Sequence, residues 1–333
     1  MNTPKRLSAI NFFSYLQPSG RQGFVNANHG RGTRKTWIIS PVVLTLIMLI
    51  TSGTAAAKDD RYVLLDGIRV HYQSYGDGTE AVIFIHGWTG NASFWHSNVS
   101  AFVPTGRVIV MDLPGHGDSD KPKVEYTQEY FARGVDAVLR DAGVYKAYII
   151  GHSMGMSVAR YFLQAHPEKV IALVNVDSRS LFYGESTDTG KAQRAQFAQA
   201  LRGPQAEQAR QERIERYLVP ETPPAVRDEV LGTIPLTPAH VALSAYEGLN
   251  RTRAWSRQPT SVPTLAIYAK PVPPHAEQAL HRMFTDLKYQ EWEGTGHFLM
   301  LEKPKEFNET VLAFIGQLRA RRAMTRRGPT DRH

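Results

Sequence analysis

The pentapeptide Gly-His-Ser-Met-Gly at 151–155 is the sequence feature that most constrains the fold. It follows a short apolar run at 147–150, which predicts a buried strand, and it leads into a helical pattern at 154–165. A serine at such a tight strand-to-helix turn needs small residues two positions before and after it, because the turn brings the flanking backbones together. The context therefore predicts that Ser153 is exposed at the tip of the turn as a nucleophile.

A serine hydroxyl is a weak nucleophile at neutral pH and needs a general base within hydrogen-bond reach. His297 is the best candidate, because it follows the last predicted strand in the glycine-containing loop 294–297 and lies C-terminal to the serine. His152 lies inside the pentapeptide, and His86 and His116 lie in glycine turns. For these three we expect a role in shaping loops.

Two backbone N–H groups are expected to form an oxyanion hole beside the serine. The predicted strand 81–85 ends in His86-Gly87-Trp88, where the glycine lets the backbone turn so that the Trp88 N–H faces Ser153. The N–H of Met154, at the start of a helix, is the expected second donor. The alternative for Trp88 is an ordinary aromatic residue of the core.

Predicted strands and helices alternate from residue 60 onward, which indicates a mainly parallel sheet with helices on both faces. An Asp66-Gly67 turn predicts a hairpin between the first two strands. The section from about 178 to 261 has polar helical stretches and no convincing strand, so we interpret it as a helical insertion. The predicted strands are 61–65, 68–74, 81–85, 108–111, 147–150, 170–176, 263–268 and 288–292, and the predicted helices of the core are 127–142, 154–165 and 304–318.

Four motifs, in this order and spacing, resemble the α/β-hydrolase fold-1 family over about residues 60–318. They are His86-Gly87-Trp88, the loop 112–119, the pentapeptide 151–155 and the segment 296–304. The resemblance implies an α/β fold with a mostly parallel eight-stranded sheet flanked by helices. It also implies a core of residues 58–178 and 262–320, with a helical cap, or lid, at 179–261 inserted after strand 6.

The family also supplies a carboxylate that orients the histidine, usually after strand 7, but residues 269–274 contain no acid. Some branches of the family place the acid after strand 6, where this chain has Asp177. Asp177 is therefore predicted to hold the tautomer of the histidine and to stabilise its protonated form. The alternatives are a helix N-cap at Asp177, or use of Glu291 or Glu293 as the acid.

These residues predict a carboxylesterase or lipase that cleaves a small hydrophobic ester through an acyl-enzyme. Within the family, the same catalytic residues also cleave carbon–carbon bonds, lactones or amides, or act as cofactor-free perhydrolases, and some members are non-catalytic receptors of small ligands. Serine at 153 argues against haloalkane dehalogenases and epoxide hydrolases, which carry aspartate there. We expect no cofactor and no metal, since the chain has no cysteine and no His-x-x-x-His spacing.

The net charge of +8 is concentrated near the two ends of the chain. Residues 1–57 hold six basic and no acidic residues, and the central part is near neutral, so we expect no nucleic-acid partner. Basic residues followed by the apolar run Trp37–Ile50 and by three alanines at 55–57 predict a cleaved signal peptide and export to the periplasm or exterior. The alternative is a membrane anchor at residues 37–50. Residues 321–333 are expected to be a disordered basic tail, and membrane contact is expected only through this tail or the N-terminal segment.

Overall fold

The computed structural model describes residues 58–185, 187–251 and 259–327. The predicted signal peptide, with its apolar run Trp37–Ile50, lies outside the described residues, as does the end of the predicted tail at 328–333. Within the described ranges, no helix combines the length and apolar character needed to span a membrane.

The described residues form one sheet of eight strands. In chain order the strands are β1 (Lys58–Leu65), β2 (Ile68–Tyr75), β3 (Glu80–Ile85), β4 (Arg107–Met111), β5 (Lys146–His152), β6 (Val170–Val176), β7 (Thr264–Ala269) and β8 (Leu287–Trp292).

The sheet is mostly parallel, with the order β1-β2-β4-β3-β5-β6-β7-β8. β2 pairs antiparallel with both β1 and β4, and the other neighbouring strands pair in parallel. Asp66 and Gly67, which join β1 to β2, have φ of 51° and 84°, as a two-residue hairpin turn requires. The predicted α/β fold class and the predicted leading hairpin are therefore confirmed.

Helices cover both faces of the sheet. The helices of the described residues are, in chain order, α1 (His96–Phe102), α2 (Gln128–Asp141), α3 (Met154–Ala165), α4 (Asp188–Ala200), α5 (Ala206–Glu215), α6 (Pro224–Thr233), α7 (Ala239–Asn250), α8 (Ala276–Met283), α9 (Leu299–Glu302) and α10 (Pro304–Arg327). Side chains alternate between the faces along β3, so that Ile83 and Ile85 pack with α2, α3 and α8, whereas Val82 and Phe84 pack with α1 and α10.

Helices α4 to α7 lie between β6 and β7, within the range 179–261 that the sequence predicts to be a helical insertion. We call the described residues of this range the cap. α4 contacts α5 and α7, and α7 contacts α2 of the core. The cap therefore packs partly on itself and partly on the core.

The final helix corrects the predicted boundary of the basic tail. The sequence places the end of the core at residue 320, but α10 continues to Arg327. Arg322 explains part of this extension, because its guanidinium donates to the Glu80 carboxylate at 2.6 and 2.9 Å and to the Tyr148 hydroxyl at 3.3 Å. These contacts hold the helix against the sheet, so residues 321–327 belong to a helix rather than to a disordered tail.

Candidate active site

Ser153 stands at the turn between β5 and α3, with φ of 52° and ψ of −116°. The positive φ is strained for a residue with a side chain, which is typical of functional turns. A Cβ atom on Gly151 would lie 2.6 Å from a backbone nitrogen of α3, and one on Gly155 would lie 2.7 Å from the His86 carbonyl oxygen. Glycine is thus needed on both sides of the serine because the tight turn brings the flanking backbones together, as the sequence predicts.

His297 and Asp177 come together although they lie far apart in the sequence. Nδ1 of His297 is 2.5 Å from Oδ2 of Asp177, and both side chains are buried. Asp177 follows β6, where its N–H donates to the Ile267 carbonyl at 2.9 Å and its Oδ1 accepts the Ala269 N–H at 3.1 Å. The end of β7 therefore fixes a carboxylate that the chain supplies from the end of β6.

The two alternative acids are paired elsewhere. Glu293 lies 3.0 Å from Nζ of Lys270, and Glu291 accepts the Tyr289 hydroxyl at 2.6 Å. A helix N-cap side chain accepts a backbone N–H from the first turn of its helix. The Asp177 carboxylate instead contacts the imidazole of His297. Of the carboxylates considered from the sequence, the geometry favours Asp177 as the partner of the histidine.

The turn at 86–88 lies directly against Ser153. A Cβ atom on Gly87 would be 3.2 Å from Cβ of Ser153, and Trp88 lines the same cavity as the serine. Met154 begins α3, so its N–H is one of the helix N-terminal donors. The Trp88 indole also donates to the Ala242 carbonyl of the cap at 2.8 Å. Trp88 therefore has a backbone beside the serine and a side chain bound to the cap.

Three further residues hold the histidine loop. Nε2 of His152 donates to the His297 carbonyl at 3.0 Å, the Tyr217 carbonyl accepts the His297 N–H at 3.0 Å, and Glu302 accepts the Gly296 N–H at 2.7 Å. The Tyr217 ring also lies 4.6 Å from the imidazole. The sequence predicts loop shaping for His152, but it holds no signal for Tyr217, which reaches the loop only through the tertiary fold.

The other buried histidines of this region are neutral at pH 7. Burial lowers the pKa of His152 far below its usual value, and proximity to His297 lowers it further. Burial also lowers the pKa of His86, and burial together with the neighbouring His86 lowers the pKa of His116 to about 3. Nε2 of His86 accepts the Leu113 N–H at 3.0 Å. These side chains support loops, as the sequence predicts for them.

The cavity at Ser153 is small, with a volume of about 40 Å³. It can hold a few water molecules, whereas sites for small organic ligands usually have volumes of about 300–1,000 Å³. Its walls come from both the core and the cap. They are formed by Trp88, His152, Ser153, Arg179, Ser180, Arg213, Ile214, Tyr217, Tyr246, Leu249, His297 and Phe298.

Within the described ranges, one group of three side chains could offer ligands to a metal ion: His71, Asp112 and Asp118, whose ligand atoms lie within 4.8 Å of one another. They line a groove of about 960 Å³ beside β2 and α1, which does not include Ser153. Asp112 already binds Nδ1 of His71 at 2.6 Å and the N–H groups of Ala92 and Asp118, and His71 also contacts Asp60. This arrangement serves to hold loops together.

Comparison with known proteins identifies a matching family and several relatives of this chain. A family model described as the alpha/beta hydrolase fold matches residues 80–304. A pimeloyl-[acyl-carrier protein] methyl ester esterase of Aeromonas hydrophila is 28% identical over 263 residues, which cover 74% of this chain and 99% of that protein.

Two further relatives match over shorter stretches. A 2-hydroxy-6-oxononadienedioate/2-hydroxy-6-oxononatrienedioate hydrolase of Burkholderia vietnamiensis is 40% identical over 119 residues, which cover 34% of this chain and 41% of that protein. The dihydrolipoyllysine-residue acetyltransferase component of the acetoin cleaving system of Cupriavidus necator is 32% identical over 147 residues, 44% of this chain and 39% of that protein. The chain thus spans less than half the length of each of these two relatives.

Solved structures share the fold at low sequence identity. An esterase from Exiguobacterium antarcticum superposes with a TM-score of 0.69 at 18% identity, covering 78% of this chain and all of that one. Est816, described as an N-acyl homoserine lactone degrading enzyme, gives 0.66 at 24% identity, covering 76% of this chain and all of that one. The family match extends over more than half of the chain and agrees with the sheet order, and we conclude that the chain belongs to the α/β-hydrolase family of hydrolytic enzymes.

Proposed function

We propose that this hydrolase cleaves carboxylic esters through an acyl-enzyme formed on Ser153. The observation that carries the proposal is the hydrogen bond between Nδ1 of His297 and Asp177 at 2.5 Å, in a cavity that Ser153 also lines. A serine, a histidine and a buried carboxylate in this relation are the groups that acyl transfer needs.

In the proposed mechanism, Oγ of Ser153 attacks the ester carbonyl carbon while Nε2 of His297 takes the hydroxyl proton. The N–H groups of Trp88 and Met154 stabilise the negative oxygen of the tetrahedral intermediate. The intermediate collapses when the C–O bond to the alcohol breaks and the imidazolium returns its proton to the leaving oxygen. Water then attacks the acyl-enzyme by the same steps, while Asp177 keeps Nδ1 protonated and stabilises the imidazolium.

The relatives support an ester substrate and suggest a second candidate. The Aeromonas relative, of which the alignment covers 99%, is named as a methyl ester esterase. The Burkholderia relative is named as a 2-hydroxy-6-oxononadienedioate hydrolase and is 40% identical over a shorter stretch. Hydrolysis of a carbon–carbon bond by the same three residues is therefore the second candidate.

Hydrolysis of p-nitrophenyl esters of increasing acyl length, by protein that starts at Lys58, tests the proposal. We expect Ser153→Ala and His297→Ala to abolish turnover and Asp177→Asn to lower kcat by several orders of magnitude, about 10⁴-fold in comparable triads. His96→Ala, an exposed histidine outside the cavity, is the control. A fluorophosphonate should label the intact protein but not Ser153→Ala. Inertness towards all esters combined with no labelling would refute the proposal and would favour a non-catalytic receptor.

We also propose that residues 1–57 direct export and are then removed, which would release the enzyme into the periplasm or the exterior. Support comes from the order of basic, apolar and small residues in this segment, and cleavage after Ala57 would leave every described strand and helix intact. Cell fractionation and N-terminal sequencing of the mature protein test this. We expect a mature N-terminus at Lys58 in the soluble exported fraction, whereas an intact N-terminus in the membrane fraction would indicate an anchor.

A further inference from the structure

The two residues on either side of Asp177 hold the backbone of Ser153. The Val176 carbonyl accepts the Ser153 N–H at 2.9 Å, and the Ser178 hydroxyl donates to the Ser153 carbonyl at 2.7 Å. These contacts form because β5 and β6 pair in parallel, so that the turns after the two strands lie side by side. The residue of the proposed nucleophile is therefore attached through both its N–H and its carbonyl to the segment that carries the acid.

Both turns have a strained backbone. Ser153 has φ of 52° and Asp177 has φ of 45°, in the left-handed region that residues with a side chain rarely adopt. Such conformations persist only where the surrounding structure holds them. The hydrogen bonds between the two turns therefore help to hold both residues in place.

Ser178 is itself held by buried side chains of β6 and β7. Its N–H donates to Oδ1 of Asn175 at 3.1 Å, and its carbonyl accepts the Tyr268 hydroxyl at 3.0 Å. Nδ2 of Asn175 donates to the oxygen of the same hydroxyl at 2.8 Å, which closes a ring of three hydrogen bonds. Asn175, Ser178 and Tyr268 are all buried. The Ser178 hydroxyl therefore reaches Ser153 from a firmly held backbone.

A chain of three serine hydroxyls ends at the Ser153 carbonyl. The Ser180 hydroxyl lies 3.1 Å from that of Ser178 and 2.9 Å from that of Ser157. A hydroxyl has one proton to donate, and Ser178 donates its own to the carbonyl, which can only accept. Ser180 must therefore donate to Ser178, and Ser157 must donate to Ser180. The bond to Ser153 is thus made by Ser178, and Ser157 stands at the far end of the chain.

We propose that Ser178 is a positioning residue for acyl transfer, because its hydroxyl fixes the turn of Ser153 against the turn of Asp177. This proposal rests on the esterase function proposed above. Asp177 holds the imidazole of His297 at 2.5 Å, so the position of the serine relative to its general base depends on how the two turns are joined. Without the Ser178 hydroxyl the turns should move more independently, and the serine should be correctly placed for proton transfer less often.

Ser178→Ala and Ser157→Ala form a matched pair of variants. Each removes one buried hydroxyl, but the first removes a hydrogen bond to Ser153 and the second removes one to Ser180. For a p-nitrophenyl ester, Ser178→Ala should lower kcat by about 10- to 100-fold and leave KM within about 3-fold, because a misplaced nucleophile slows the chemical step. Ser157→Ala should keep kcat within about 3-fold. Ser178→Cys should give an intermediate kcat, since a thiol is a weak donor.

Hydrogen exchange of the Ser153 amide, followed by NMR, gives a readout that does not depend on hydrolysis. This N–H is bound to the Val176 carbonyl, so it exchanges when the two turns separate. We expect exchange at least about 10-fold faster in Ser178→Ala than in the intact protein, and within about 3-fold in Ser157→Ala.

The two readouts separate this proposal from the esterase function. An unchanged kcat in Ser178→Ala, an equal loss of kcat in Ser157→Ala, or equal exchange rates in the two variants would overturn the role of Ser178. If the intact protein hydrolyses no ester but the exchange rates differ as expected, Ser178 still holds the turn of Ser153, and the esterase function fails.

Discussion

Arg179 ties the carboxylate of Asp177 to the end of the neighbouring strand. Its Nε donates to Oδ2 of Asp177 at 3.2 Å, while its two terminal nitrogens donate to the carbonyls of Ala269 and Pro271 at 2.7 and 3.0 Å. The acid after β6 is thereby fixed to the loop after β7, where the family usually places its acid. In this chain an arginine bridges the two positions.

Arg179 should act as a positioning residue for the acid. We expect Arg179→Ala to lower kcat for a p-nitrophenyl ester by about 10-fold with little change in KM, because a loosely held carboxylate orients His297 less well. Arg179→Lys should recover part of the loss, since it keeps the charge but not the fork of donors. Arg133→Ala, which breaks an exposed ion pair with Asp66, is the control and should leave kcat unchanged. A change confined to KM would contradict this role.

The Tyr217 ring should support the imidazole from the cap side. We expect Tyr217→Ala to lower kcat/KM by about 10-fold or more, because the ring that lies 4.6 Å from the His297 ring is lost. Tyr217→Phe keeps the ring and should stay within about 3-fold of the unchanged protein. Equal losses in both variants would mean that the hydroxyl, and not the ring, supports catalysis.

Two helical glycines should respond in opposite ways to the same substitution. Gly155→Ala should destabilise the fold by about 1–3 kcal/mol and impair activity, since the new Cβ would lie 2.7 Å from the His86 carbonyl oxygen. Gly232→Ala in α6 meets no atom within 4 Å and should stabilise the fold by up to about 1 kcal/mol, because alanine is the better helix former. Urea unfolding measures both. Destabilisation of similar size in the two variants would show that the close approach at the serine turn is not what requires glycine.

Stability should fall in acid partly because of His116. Burial, together with the neighbouring His86, lowers its folded-state pKa to about 3, whereas an unfolded chain titrates near 6.5. As the pH falls below 6.5, the unfolded state takes up a proton that the folded state does not, so this part of the stability is complete above pH 6.5 and is lost towards pH 3. The cost is about 1.4 kcal/mol per pH unit.

Urea unfolding of His116→Leu measures this contribution. Between pH 6.5 and 4.5, the free energy of unfolding should fall less steeply in the variant, by about 1.4 kcal/mol per pH unit. Above pH 7 the two proteins should show the same pH dependence, which serves as the internal control. Parallel curves over the whole range would mean that His116 takes up its proton equally in both states.

The sequence predicted the elements that depend mainly on residues close together in the chain. The Asp-Gly turn and the apolar β-branched runs indicated the strands, because burial on both faces selects such residues. The short helix α8 was not predicted, since its eight residues give too little periodicity to separate it from a loop. The end of α10 was also missed, because the contact of Arg322 with Glu80 is tertiary.

The residues of the candidate site also fall into two groups, those that lie in a recognisable sequence motif and those that only the tertiary fold brings to the site. Ser153 and His297 stand in motifs that carry their own local geometry, and Asp177 could be named because the chain has no acid after β7. Tyr217 and Arg213 lie in polar helical sequence without a motif, and only the packing of the cap on the core brings them to the serine. Ser153, His297 and Asp177 were thus accessible from the sequence, but Tyr217, which supports the histidine from the cap, was not.

The small volume of the cavity has a consequence for the way a substrate enters. A space of about 40 Å³ does not admit an ester, so the walls of the cavity must move apart before one can reach Ser153. One of these walls contains Tyr217 of the cap, whose carbonyl accepts the His297 N–H. The segment that limits entry is therefore also a segment that holds the general base, and a change in one of these properties should alter the other.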